Sequence, residues 1–495
     1  MRRAGVLLHP TALPGTPACG SLGRVAHAWV ALLQRHHVGV WQVLPLAPPD
    51  DTGSPYSSPS GSALNPALLD LAALQAEGWV PADGTAMDCS DARPGPGLLA
   101  ALLHSWQGAD SQQRQAFAEW RRQQNHWLRD HCRFAVLKQL HGHAPWWAWP
   151  DAVARRRREA LEQLDQEQGD ALQAQALLQW HLQRQWQALR QAATRARVQV
   201  VGDLPFYVAR DSADVWSHPE LFAISAAGDL QQQSGVPPDY FSRTGQLWGT
   251  PTYRWSRHWA TSFRWWIQRL LRQLELFDLL RLDHFRAMQA FWSVPGQAPT
   301  AETGRWKLSP GWPLLGLLWL ACLRKGLLLP DGRLPLIAED LGVITRGVEW
   351  LRDGFALPGM KILQFAFDGD PTNPYLPRNI KGRHWVVYTG THDNATTLGW
   401  WQSLDGDSRQ RVETAVGCPV QAPGWQLAEL ALGCSADLVV VPLQDLLELG
   451  DEARFNTPGT ASGNWSWRLQ QPIASLDGPL KGYGEMAARA GRGQR

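Results

Sequence analysis

Leu279–Met288 reads LLRLDHFRAM, two apolar residues running straight into Arg281, Asp283, His284 and Arg286. A segment that starts as a buried strand and ends in a carboxylate between cations suits a strand whose far end opens into a site. Its reading becomes decisive because it recurs. Short aliphatic runs bounded by turn residues are AGVLL from Ala4, VGVWQVL from Val38, VQVVGD from Val198, DLLRLD from Asp278, LPLIAED from Leu334, MKILQFA from Met360, HWVVYTGTHD from His384 and DLVVVPLQD from Asp437. Between them lie amphipathic stretches such as RVAHAWVALLQRHH and SFRWWIQRLLRQLELF. Near-continuous apolar strands alternating with helices predict a parallel sheet buried on both faces, and eight of them predict an α/β fold of the (β/α)8 barrel type. An open doubly wound sheet is the alternative.

The spacing of the runs is uneven. Gln- and Ala-rich segments of helical composition separate the second run from the third, which predicts a single domain over residues 1–495 carrying a mainly helical insertion at 66–196. A second insertion at 204–275, after the third strand, is rich in aromatics, Gly and Pro. The formal charge of +2, with both signs spread along the chain, gives no basic footprint for a phosphate backbone, so nucleic acid is not an expected partner. The 28 Trp, against 7 Tyr and 13 Phe, supply flat apolar faces that suit core packing for most of them and stacking on sugar rings for some. Cys19, Cys89, Cys132, Cys322, Cys418 and Cys434 show no metal or redox spacing, which suits a reducing compartment. His9, Pro10 and Pro14 interrupt the first apolar run too early for a signal peptide, and PLLGLLWLAC from Pro313 is too short to span a bilayer. The expectation is a cytoplasmic chain with no membrane partner.

In a barrel of this type chemistry sits at the C-terminal ends of the strands. Four runs end there in acids: Asp203, Asp283, the pair Glu339 and Asp340, and Asp393. One such Asp is ordinarily a helix N-cap; four converging on one mouth suggest a site. Strand side chains alternate, so Arg281 and Asp283 share a face, and the guanidinium favours the ionised carboxylate. Glu339 and Asp340 should point oppositely, so that one of them enters the mouth. Several acids around one site suit glycoside chemistry, in which one carboxyl group protonates the leaving oxygen and another attacks the sugar or stabilises its cation-like transition state. No Gly-rich phosphate loop is present. A metal held by Asp283, Glu339 and Asp393 with His284 or His392 is the competing reading at this point.

Taken in order, LLHPTALPG, WQVLPLAPP, SPYSSPSGSALNP, GDLPFYVARDSADVW, GVPPDYFSRTGQLWGTPTY, RLDHFRAM, IAEDLG, LPGMKILQFAF, THDNATTLGWW and NTPGTASGNWSWRL resemble the amylomaltase family of 4-alpha-glucanotransferases, glycoside hydrolase family 77. The resemblance covers nearly the whole chain. It implies a retaining double displacement on alpha-1,4-glucans without metal or organic cofactor, with maltooligosaccharides or amylose as donor and these or glucose as acceptor. By the same resemblance Asp283 is the nucleophile, Glu339 the general acid and base, and Asp393 the grip on the reacting ring. Arg281 orients Asp283, while His392 and Asp203 hydrogen-bond that ring. Ser54 and Tyr56 line the donor side; Asp239, Tyr240 and Phe241 belong to a loop covering the cleft, Trp248 is an aromatic wall, and Asn456 is a further binding position. Two departures from the family pattern stand out: PPDDTG before SPY, and Thr250 where Asn is usual. A hydrolase or other transferase on the same barrel, or a non-catalytic glucan-binding protein, is the alternative. Oligomeric state is not readable.

Overall fold

The structure is a computed structural model that describes residues 2–15, 20–81, 94–238, 242–460 and 462–493. In chain order its strands are β1 (Arg3–Leu7), β2 (Val40–Gln42), β3 (Gln199–Leu204), β4 (Gln232–Val236), β5 (Gln246–Pro251), β6 (Leu279–Leu282), β7 (Ala290–Pro295), β8 (Arg305–Leu308), β9 (Leu336–Ala338), β10 (Gly359–Ile362), β11 (Trp385–Tyr388) and β12 (Leu438–Pro442). Each of the eight apolar runs is one of these. They pair in parallel in the order β10-β11-β12-β1-β2-β3-β6-β9. At the remaining seam Ala338 N donates to Pro358 O at 2.9 Å, and Met360 N donates to the Asp340 carboxylate at 2.7 Å. Neighbours therefore follow chain order all the way round, with no reversal of direction at a switch point. That distinguishes the nearly closed barrel from an open doubly wound sheet.

The strands lie between side chains on both faces, which is why they read as unbroken apolar runs: all five residues of β12, LVVVP, are buried. Helices Pro96–Gln107, Ser111–Leu140, Arg158–Glu167 and Gly169–Arg195 occupy the chain between β2 and β3. The Ser111–Leu140 helix starts at a capping box, in which the Asp110 carboxylate accepts from Gln113 N at 2.7 Å and Gln113 Oε1 accepts from Asp110 N at 3.0 Å. Trp186 ties the Gly169–Arg195 helix to the barrel, packed against Trp41 and Phe277 with its indole N–H on Leu276 O at 2.9 Å. Gly202 in β3 lies so close to Phe277 that a Cβ there would meet the ring at 2.1 Å.

Four strands form a second, antiparallel sheet in the order β5-β4-β7-β8. Two come from the segment after β3 and two from the segment after β6, so the sheet is built on the C-terminal side of the barrel. The sequence gives no sign of it. QQSGV, QLWGTP and RWKL lack a sustained apolar alternation, and their pairing is decided by contacts between distant segments.

Candidate active site

Register does most of the assembly. Asp203 pairs with Arg281 across β3 and β6, and Leu282 pairs with Ala338 across β6 and β9. Asp203 and Arg281 thus stand side by side, and Asp283 and Glu339 are the next residues beyond a paired couple, at neighbouring strand tips. Arg281, only 3% exposed, donates to both Asp203 oxygens at 2.8 and 2.6 Å and forms an ion pair with Asp283, its Nη2 lying 2.9 Å from Oδ1. Burial opposes its charge, but Asp203 and Asp283 outweigh that and hold it protonated well beyond the ordinary arginine range. Asp203 is a layer deeper than the other acids: its side chain is fully buried, against 28% exposure for Asp283 and 41% for Asp393. Its Oδ2 also accepts from the Tyr56 hydroxyl at 2.7 Å. Burial and the neighbouring Asp203 charge keep that phenol protonated, as a donor must be.

Of the adjacent acids it is Glu339 that enters the mouth. His284 N donates to its Oε2 at 2.8 Å and Leu341 N to its Oε1 at 2.9 Å. Asp340 turns into the wall, paired with Arg352 and capping Met360 N. His284 can present its N–H this way because its backbone is left-handed, with φ of 51°. Burial pushes the Glu339 carboxyl up to about 7, with the Asp283 charge adding to the shift against the pull of Arg281 and the two N–H donors. Burial likewise lowers the His284 ring to about 4, leaving a neutral imidazole edge-on to Trp248 at 4.9 Å.

Asp393 sits on the loop after β11. Asn456 donates to its Oδ1 at 2.7 Å, Arg454 to its backbone oxygen at 3.0 Å, and His392 Nε2 lies 3.3 Å from Oδ2. The His392 ring stacks on Tyr56 with centroids 5.1 Å apart and planes 9° from parallel. Trp465 packs against both rings, at 5.6 and 6.0 Å; the sequence offers no signal for this part of the wall beyond the aromatic-rich NWSW. Ser54 caps the Tyr56 turn, its hydroxyl accepting from Tyr56 N at 3.3 Å. Trp248 stands on β5, 37% exposed. Thr250 is turned away into the small sheet, its hydroxyl 2.5 Å from that of Ser234. Arg286 donates to Val343 O and lies over the Trp306 ring at 3.9 Å. Asp239, Tyr240 and Phe241 lie outside the described residues.

The acids each have partners already in place. Asp283 faces a guanidinium, Glu339 two backbone N–H groups, and Asp393 an amide and an imidazole. Among the described residues no three His, Cys, Asp or Glu side chains converge as metal ligands. A partly exposed acid beside a cation and a carboxyl held near neutrality by burial are an arrangement able to serve glycoside cleavage. No described helix is long and apolar enough to cross a membrane.

Residues 8–474 match a family model described as 4-alpha-glucanotransferase, glycoside hydrolase family 77. A 4-alpha-glucanotransferase of Thermus thermophilus is 42% identical over 484 residues, covering 94% of this chain and 95% of that one. One of Synechocystis sp. is also 42% identical over 484 residues, covering 94% of each chain. An amylomaltase of Streptococcus agalactiae, solved in complex with acarbose, superposes over 100% of both chains with a TM-score of 0.92 at 31% identity.

Proposed function

The chain belongs to the 4-alpha-glucanotransferase family, glycoside hydrolase family 77, and from that premise we propose that it moves a segment of an alpha-1,4-glucan onto the 4-hydroxyl of glucose or of another glucan, through a covalent glycosyl ester on Asp283. The observation that carries this reading is the contrast between the two strand-tip acids. Asp283 faces Arg281 at 2.9 Å, whereas burial raises Glu339 to about 7.

In the first step Asp283 attacks the anomeric carbon while Glu339 gives its proton to the departing oxygen, and the reducing-end fragment leaves. Glu339, now ionised, takes the proton of an incoming 4-hydroxyl, whose oxygen opens the ester with net retention. Arg281 anchors the nucleophile and is itself anchored by Asp203, which Tyr56 holds in turn. Asp393, fixed by Asn456, grips ring hydroxyls beside the face formed by Tyr56, His392 and Trp465. Asp239, Tyr240, Phe241 and Trp248 would shield the ester from water so that a sugar hydroxyl competes for it. Ser54 would support the donor side through the Tyr56 turn. Maltooligosaccharides and amylose are the donors and acceptors this mechanism takes. We place the reaction in the cytoplasm, where the free thiols of Cys132, Cys322, Cys418 and Cys434 would stay reduced.

Incubation of the protein with maltotriose alone tests the reading. Glucose together with maltopentaose and longer chains is expected. Glucose and maltose without elongation would favour the hydrolase alternative and overturn transfer.

A further inference from the structure

The loop that carries His392 and Asp393 leaves β11 at Thr389 and enters the helix Thr397–Ser403. Both of its ends meet on one side chain. Asp445, in the short helix Leu443–Leu446 that follows β12, is 1% exposed. Its Oδ2 accepts from the Thr389 hydroxyl at 2.6 Å and the Thr397 hydroxyl at 2.7 Å, while its Oδ1 accepts from Thr397 N at 2.8 Å. Thr389 and Thr397 are themselves fully buried. Nothing in the mechanism above uses this carboxylate.

Burial raises the Asp445 carboxyl, and the threonine donors pull it back. A fully buried acid held only by neutral donors is costly to keep, and a fold that needed merely to fill this space would do so with an apolar side chain. Its return is geometric. Other hydrogen bonds hold the loop along its length: Asn394 Oδ1 on Thr391 N, Asp451 Oδ1 on Thr396 N, the Gln364 amide on Ala395 O, Arg454 on Asp393 O, the Asn456 amide on the Asp393 carboxylate and Asn456 N on His392 O. These fix the shape of the loop but do not join its two ends.

We propose that Asp445 is a positioning residue for the reaction: by clamping Thr389 to Thr397 it sets how far His392 and Asp393 reach toward the reacting sugar, without touching the sugar itself. The inference rests on the proposed role of Asp393 as a grip on the reacting ring. A grip that tightens as the ring distorts contributes to the transition state more than to bound substrate, so a slackened clamp should lower kcat and spare KM.

The test measures glucose release from maltotriose, which registers bond cleavage whether a glucan or water takes the fragment; elongation by the unaltered protein decides the transfer reading separately. Asp445→Ala should lower kcat about 100-fold, the size expected for a displacement near 1 Å, with KM within about threefold. Affinity for a cationic aza-sugar mimicking the distorted ring should fall in parallel with kcat. Asp445→Asn, which keeps the shape and an acceptor for Thr397 N, should recover activity to within about tenfold of the unaltered protein. Where Asp445→Ala does not fold, Thr389→Val removes one arm of the clamp from the loop side and should cost about tenfold in kcat. The proposal is overturned if folded Asp445→Ala keeps kcat within about threefold, if KM rises as much as kcat falls, or if Thr389→Val leaves kcat unchanged.

Discussion

Raising the pH across the Glu339 titration should switch off glucan cleavage. The competent form in the first step is the protonated acid. Activity is therefore held below its pKa and lost as the pH climbs through it. With the carboxyl at about 7, roughly half of the protein carries the proton at pH 7, about a tenth at pH 8 and about a hundredth at pH 9. An unshifted glutamic acid would be about 0.3% protonated at pH 7, so burial multiplies the competent fraction on the order of 100-fold at neutrality. The assay is kcat/KM for glucose release from maltotriose between about pH 5 and 9, which reports the free protein. An alkaline limb centred near 7 is expected, steepening to about tenfold per pH unit. With alpha-glucosyl fluoride, whose leaving group needs no proton, the limb should vanish from the glycosylation step. A limb near 4.5, or one that persists with the fluoride in a Glu339→Gln variant, would refute the assignment of the raised carboxyl to the general acid.

Three further outcomes follow from the same network. Arg281→Met leaves Asp203 and Asp283 without their shared cation, and breaking a buried pair of this kind costs about 3–5 kcal/mol; chemical denaturation should show a loss of that size together with loss of activity. Tyr56→Phe keeps the ring on His392 but removes the hydroxyl from Asp203, so kcat/KM should fall about tenfold with the melting temperature little changed. Gly202→Ala drives a methyl to 2.1 Å from the Phe277 ring, which should cost at least about 1–3 kcal/mol in a thermal melt.

The barrel was legible because its strands are buried on both faces, so that stretches such as DLVVVP need no partner information to be recognised. The small sheet was not, since QQSGV and RWKL are short, polar and stabilised by segments far away in the chain. The acids could be read from their place at strand ends. Their depth could not: Asp203 and Asp283 look alike as residues that end a run, yet register with Arg281 buries the first and leaves the second at the mouth. Alternation separated Glu339 from Asp340 without saying which faces inward. That choice is made by the left-handed turn at His284 and by Arg352, neither of which announces itself in the local pattern. Trp465 is not legible in the sequence because its importance lies in two partners, Tyr56 and His392, that only the folded barrel brings within reach.

The central claim is that Asp283 becomes covalently attached to the sugar. It is tested most directly by treating the Glu339→Gln variant with alpha-glucosyl fluoride and taking the intact mass followed by peptide mapping. The fluoride can glycosylate the nucleophile without a proton donor, while loss of the general base slows release. The account predicts a single glucosyl mass increment located on Asp283. An unmodified protein that nonetheless turns the fluoride over, or an increment located on another residue, would contradict it.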